Sequence, residues 1–118
     1  MIIEDPKMAR KMDRALASGG NLFDLDDIRE HLKNGRMQGD VEGDTWAITQ
    51  IHEWPQKKTV NILYVIGFME ESLLLEQKIT KWAKEIGADA ITAVGRDGWW
   101  EHRLPGWKKV GTLYSKEI

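Results

Sequence analysis

Cationic and indole side chains are interleaved near the end of the 118-residue sequence, between residues 96 and 109. Indole rings can stack on nucleobases while Lys and Arg contact phosphates, and Arg and Trp are also enriched at protein–protein hot spots. From residue 96 onward, five Lys or Arg stand against three Asp or Glu. This excess of positive charge is too small to attract nucleic acid strongly, so the cluster favours docking on another protein. The predicted partner-binding residues are Arg96, Trp99, Trp100, Arg103 and Trp107.

Histidines and carboxylates, the other side chains that could do chemistry, form no metal-binding pattern. His31, His52 and His102 are far apart in sequence, and the chain has no Cys, so the spacings typical of zinc sites are lacking. The acidic run at residues 24–27 lacks the rest of a calcium loop, and a helix N-terminus explains it. We therefore predict no metal site, no disulfide framework and no Cys nucleophile.

The composition indicates one ordinary globular domain. The formal net charge is −2, with 42% hydrophobic and 31% charged residues, and these values fit a single domain over residues 1–118. We expect a helical part at residues 1–40, followed by a sheet and a long helix at residues 41–118. No apolar run approaches the roughly 18 to 20 residues of a membrane span, and the first residues lack the features of a signal peptide. We expect neither a membrane span nor secretion.

Two helices are predicted before residue 40. The first opens at Asp5 and Pro6, an N-cap followed by a proline at the first helical position. Its apolar face consists of Met8, Met12, Ala15 and Leu16. After a glycine-rich break, Asp24 caps the second helix, which ends near residue 35.

The rest of the chain predicts a mixed sheet around one long helix. The expected elements are strands at 46–54 and 59–68, a helix at 70–86, a strand at 90–94, a short helix or turn at 98–104, and a last strand at 109–116. The second strand, the long helix and the third strand form a βαβ unit, whose two strands are parallel. The apolar face of the long helix is predicted to include Leu73, Leu74, Ile79, Trp82, Ala83 and Ile86.

This order of elements resembles the GNAT family of N-acetyltransferases. The sequence Leu104-Pro105-Gly106-Trp107-Lys108 looks like the Leu-Gly-Phe ending of the last helix in that family. Residues 95–100 and 113–117 are similar to small acetyltransferase-like proteins of tailed bacteriophages, including a virion-associated type. The resemblance covers about residues 41–118. It implies an α/β (α+β) fold with two N-terminal helices, antiparallel strands, a central βαβ unit, a short C-terminal helix and a final strand.

The loop that binds acetyl-CoA in the family is altered here. Family members usually carry Arg/Gln-x-x-Gly-x-Gly/Ala, whose backbone amides reach the pyrophosphate at a helix N-terminus. In this sequence the loop is Gly67-Phe68-Met69-Glu70-Glu71-Ser72, with one glycine, no arginine and two carboxylates. Each carboxylate close to a phosphate adds repulsion of about 1 kcal/mol in water. We therefore expect no cofactor.

An alternative remains, in which the chain is a working N-acetyltransferase. In that case the resemblance implies that Val65, Gly67 and Ser72 hold acetyl-CoA. The family position of the tyrosine that protonates the departing thiolate falls on His102, and Glu53 at the end of a strand is the candidate general base.

The leading hypothesis is a phage structural or assembly protein with a degenerate acetyltransferase-like fold. It would dock on other virion proteins, such as portal, tail or internal proteins, in the virion or the host cytoplasm. Association of the chain with further copies of itself stays open.

Overall fold

The computed structural model describes residues 5–95 and 104–118. Within them, the elements follow in the order α1 (Pro6–Ser18), α2 (Leu25–Lys33), β1 (Gln38–Glu42), β2 (Thr45–Glu53), β3 (Lys58–Ile66), α3 (Met69–Glu85) and β4 (Ala90–Ala93). None of the helices in this described part is long and apolar enough to cross a bilayer.

The four strands form one mixed sheet in the order β1-β2-β3-β4. The first two pairs are antiparallel, and β3 pairs with β4 in parallel through the crossover helix α3. A register shift between Ile48 and Thr49 places a bulge in the middle of β2. The predicted mixed sheet and its βαβ unit are therefore confirmed.

The two N-terminal helices begin as their capping residues dictate. The Asp5 carboxylate accepts the Lys7 N–H at 2.9 Å, and α1 buries the predicted stripe of Met8, Met12 and Leu16. In α2, Asp24 and Asp27 each accept the backbone N–H of the other, which completes a capping box. Both helices thus start where the sequence predicts.

Each face of the sheet carries its own apolar core. The core under α1 and α2 is built from Met12, Ile28, Met37, Trp46 and Ile48, all at most 1% exposed. The core under α3 is built from Ala47, Val60, Ile62, Leu75, Ile79 and Ala83. The sheet is thus covered by helices on both sides, as three layers require.

The structure differs from the sequence-based expectation on three points. Strand β1 was not predicted, because its residues Gln38–Glu42 are mostly polar and suit only an edge strand. The predicted strand at 109–116 does not form, and residues 108–118 are exposed and irregular. On α3 the buried stripe runs through Leu75, whereas Leu74 is 50% exposed. The helix or turn predicted at 98–104 falls mainly on residues outside the described ranges.

Candidate functional site

The parallel pairing of β3 with β4 stops before β3 ends. Their register runs from Thr59 opposite Ala90 to Ile62 opposite Ala93, whereas β3 continues to Ile66 and stays paired with β2. In the described part of the chain, no strand lies on the other side of β3 beyond Ile62. A cleft therefore opens at the carboxyl end of β3, the end at which α/β sheets bind ligands.

A pocket lies beside this cleft, between the sheet and α3. It is small and partly open to solvent, with about 10 Å³ of space for the centre of a water molecule, and its wall includes Val65, Ser72, Glu76, Ile79 and Leu104. The wall is almost entirely apolar, so it disfavours a charged group, and the space is enough for about one water molecule. Two of the three predicted cofactor-binding residues, Val65 and Ser72, thus line one pocket.

A hydrogen-bonded network closes the turn between β3 and α3, where the third predicted residue, Gly67, lies. The Phe68 N–H donates to the Thr45 hydroxyl oxygen at 2.8 Å, and the Thr45 hydroxyl donates to Glu71 Oε1 at 2.8 Å. The Asp44 N–H donates to the same carboxylate at 3.3 Å. We call this group, Asp44, Thr45, Phe68 and Glu71, the Thr45–Glu71 network; it fastens α3 to the β1–β2 turn.

Two glycines make the close approach in this network feasible. Gly67 has φ of 135°, and a Cβ there would lie 2.6 Å from the Thr45 Cα. Gly43 has φ of 58°, and a Cβ there would collide with the Glu71 carboxylate. Both positions lie in the positive-φ region that glycine adopts without strain. Gly67 therefore serves the packing against Thr45 in this structure.

The Thr45–Glu71 network lies at the N-terminus of α3, the end of a helix that attracts anions. One backbone donor of the turn, the Phe68 N–H, is already used by Thr45, and the Ser72 hydroxyl donates to the Phe68 carbonyl oxygen at 2.9 Å. Glu70 and Glu71 place two carboxylates in the first turn of the helix. Carboxylates stabilise a helix N-terminus without a ligand and repel an anion approaching it.

Of the two candidate catalytic residues, Glu53 is the one within the described residues, and it does not lie at this cleft. Glu53 is exposed and pairs in register with Lys58 at the opposite end of β2, six residues and therefore about 20 Å along the strand from Ala47, which also lines the pocket. His102 lies outside the described residues. Burial raises the pKa of the Tyr64 phenol, and Tyr64 packs with the core under α1 and α2 rather than in the pocket.

The predicted partner-binding residues divide into two groups. Arg96, Trp99, Trp100 and Arg103 lie outside the described residues. Trp107 is half-buried against the α3 core, and its Nε1 donates to Glu76 Oε1 at 3.3 Å. Its indole is thus tied to α3, beside the pocket that Glu76 and Leu104 line.

Sequence reasoning missed several residues of these sites. Thr45 and Gly43 act with Glu71 across more than 25 positions of sequence, and the only local signal was the Gly43-Asp44 pair, typical of a hairpin turn. Also missed was an aromatic surface near the other end of β2, where His52 stacks on Trp54 at 5.4 Å between ring centroids. The Trp54 Nε1 donates to the Thr59 hydroxyl at 2.9 Å, and the indole is 57% exposed.

No three His, Asp or Glu side chains of residues 5–95 and 104–118 come close enough together to hold a metal ion. The carboxylates of Asp24 and Asp27 serve the capping box of α2, and Glu71 serves the network at α3. Each of these groups therefore has a structural role where it lies.

The chain is similar to two solved structures over most of its length. TTHA1254 from Thermus thermophilus is 18% identical, with a TM-score of 0.60 over 81% of this chain and 80% of that one. A structure described as a probable acetyltransferase is 10% identical, with a TM-score of 0.64 over 95% of this chain and 90% of that one. No protein-family model and none of the curated proteins matches the sequence. At these identities the likeness shows the fold alone, which is GNAT-like.

Proposed function

We propose that this chain is a docking protein built on an acetyltransferase-like fold, and that it does not use acetyl-CoA. The observation that carries the proposal is the Thr45–Glu71 network. It closes the turn that an acyl-CoA pyrophosphate needs, and Glu70 and Glu71 place two carboxylates in the first turn of α3. The chain keeps the cleft of the fold but closes the turn at which the pyrophosphate of acetyl-CoA would bind. Because function resides in the site and not in the fold, this combination favours binding of another protein over transfer of an acetyl group.

The kind of assembly is inferred from the C-terminal residues. Their resemblance to acetyltransferase-like proteins of tailed phages supports a role in the virion or in its assembly, within the particle or the host cytoplasm. The docking surface in this proposal consists of Arg96, Trp99, Trp100, Arg103 and Trp107. Of these, Trp107 lies in the described residues, where its hydrogen bond to Glu76 holds the indole on α3, and a docking surface needs such a support.

An acetyltransferase is the second candidate, and one observation favours it. The apolar pocket lined by Val65 and Ser72 opens beside the cleft, and α3 has no side-chain cap at its N-terminus. Backbone amides of the first turn are therefore free of a side-chain cap and could contact a phosphate. Binding in this manner requires the Thr45–Glu71 network to open.

Calorimetric titration with acetyl-CoA separates the two candidates. We expect no binding by the unaltered chain at millimolar acetyl-CoA. Glu71→Ala removes the carboxylate that closes the turn, and Glu70→Ala is the matched control, since it removes an exposed charge one residue away without touching the network. Gain of binding in Glu71→Ala alone would show that the network is the barrier. A micromolar dissociation constant for the unaltered chain would overturn the proposal in favour of the enzyme.

Docking itself is tested by co-assembly with the phage virion proteins. We expect Trp100→Ala and Arg103→Ala to weaken incorporation into particles while the thermal melting of the isolated chain stays unchanged. The control is Trp54→Ala, which removes an exposed indole from a different surface. Normal incorporation of both cluster variants would place the docking surface elsewhere.

A further inference from the structure

The last residues of the chain form an exposed tail of strand-forming sequence. Residues 110–118 are all exposed and belong to no helix or strand. Four apolar side chains in this tail, Val110, Leu113, Tyr114 and Ile118, are between 74% and 116% exposed. β-branched and aromatic residues of this kind favour strands, and exposed apolar side chains close together mark an interaction surface. The tail therefore has the composition of a strand without a neighbour.

The two edges of the sheet differ in how they are protected. At β1 the Lys78 ammonium donates to the Val41 carbonyl at 3.1 Å and lies 3.6 Å from the Glu42 carboxylate. Edge strands are commonly shielded in this way by lysine and by charged side chains. β4 consists of Ala90–Ala93 without any charge, and in the described residues its only strand neighbour is β3. Within residues 5–95 and 104–118, the outer edge of β4 therefore carries neither a strand nor a charge that would keep another strand away.

We infer that the tail adds as a strand to the free edge of β4 in a second copy of this chain, and that the two copies exchange tails reciprocally. Addition of a strand to an open edge gives main-chain hydrogen bonds together with side-chain contacts on both faces. A two-fold axis pairs both tails with both edges at once, so neither copy keeps an unpaired strand. The inference goes beyond the proposed docking role and does not depend on it.

The starting point of the tail favours a second copy over its own sheet. Trp107 is held on α3 through Glu76, so the tail leaves from the helix layer and not from the sheet. Nine residues can span roughly 30 Å when extended, which is enough to reach across to a neighbouring molecule. Within one copy every residue from 110 to 118 is exposed, and the tail therefore gains no burial on its own β4.

Cysteine crosslinking tests the exchange directly, because the native chain has no Cys. Val94, 72% exposed just after β4, and Thr112 in the tail are replaced by Cys in two separate full-length chains, one carrying a tag that changes its size. After mixing and treatment with a short bis-maleimide, we expect a heterodimer that contains both chains. The matched control combines Thr112→Cys with Val41→Cys on the protected edge, and we expect no crosslink from it.

A chain carrying both Val94→Cys and Thr112→Cys distinguishes the remaining arrangements. Crosslinked dimers support exchange, whereas crosslinking confined to a single chain would mean that the tail covers its own edge and would overturn the inference. A chain that light scattering shows to be monomeric at hundreds of micromolar would overturn it as well. So would crosslinking through Val41 instead of Val94.

The dissociation constant of the exchanged dimer provides a second test. Leu113→Asp places a charge within the added strand, and it acts at both contacts of a two-fold dimer, so we expect the dimer dissociation constant to rise at least about tenfold. Glu117→Gln, near the exposed end of the tail, is the control and should leave it unchanged. The monomer should melt as before in both variants, since the tail is exposed in the single copy. An unchanged dissociation constant for Leu113→Asp would contradict the tail contact.

Discussion

The N-termini of α2 and α3 are held by different kinds of hydrogen bond. Asp24 and Asp27 close the start of α2 within one turn of the helix, through their own side chains and backbone. The start of α3 has no side-chain cap on its own turn. Glu71 instead reaches the β1–β2 turn, and Thr45 from that turn accepts the Phe68 N–H. The first arrangement is local, and the second joins segments more than 20 residues apart.

The local cap of α2 and the long-range network of α3 differ in how far their effects extend. A local cap stabilises one helix and leaves its surroundings unaffected. The Thr45–Glu71 network fixes where α3 lies against the sheet and, in the function proposed above, also keeps a phosphate from the N-terminus of α3. Under that proposal, stability and ligand exclusion are coupled at α3 and independent at α2.

The largest expected effect comes from Gly67→Ala at the start of α3. The added Cβ meets Thr45 while the backbone is held at a φ of 135°, and we expect destabilisation of about 3 kcal/mol. Gly35→Ala near the end of α2 is the control, because its φ is also positive, at 82°, but no atom lies within 4 Å. Its cost should be about 1 kcal/mol. Urea unfolding measures both, and equal losses would show that contact with Thr45 does not matter.

A smaller effect is expected from Thr45→Val, which keeps the shape of the side chain and removes its hydroxyl. Thr45 is fully buried, so the Phe68 N–H and the Glu71 carboxylate each lose a partner, at a cost of about 2 kcal/mol. Thr80→Val is the control, since the Thr80 hydroxyl bonds within its own helix, to the Glu76 carbonyl at 2.8 Å. A loss at Thr45 no greater than at Thr80 in thermal unfolding would contradict the long-range role of the network.

The smallest of these effects is expected at the local cap of α2. Asp24→Ala removes the acceptor of the Asp27 N–H, and the usual cost of losing such a cap is about 1 kcal/mol. Asp26→Ala, which removes an exposed ion pair with Arg29 and one charge of the first helical turn, should cost about 0.5 kcal/mol. In acetyl-CoA titrations Asp24→Ala should behave as the unaltered chain does. If Asp24→Ala gained acetyl-CoA binding, the N-terminus of α3 would not be the one that controls access of the ligand.

The sequence predicted those parts of the fold that depend on neighbours along the chain. Asp24 identified the start of α2, and the spacing of Met8, Met12 and Leu16 identified the buried face of α1. Strand β1 escaped prediction because Gln38–Glu42 is a strand only through its pairing with β2. The opposite error occurred at residues 109–116, where strand-forming residues lack a neighbouring strand in the single chain and stay irregular.

The candidate site depends on contacts along the chain and across it. Val65 and Ser72 line the same pocket because both lie close to the β3–α3 turn in sequence, and their predicted role in binding acetyl-CoA stays a prediction. The partnership of Thr45 with Glu71 depends on how the β1–β2 turn meets α3, and nothing local specifies it. Glu53 remains a candidate from its type alone, and the structure places it at the far end of β2.

The close approach of Gly43 to Glu71 has a consequence for how homologous sequences can vary. A side chain at position 43 would collide with the Glu71 carboxylate, so a homologue with any other residue at 43 must turn the side chain at 71 away from Thr45, shorten it, or move α3. Gly67 and Thr45 are constrained in the same way. We therefore expect positions 43 and 71 to covary, and 45 with 67. A homologue that regains small residues at 45 and 71 is the one in which an anion-binding turn would reopen.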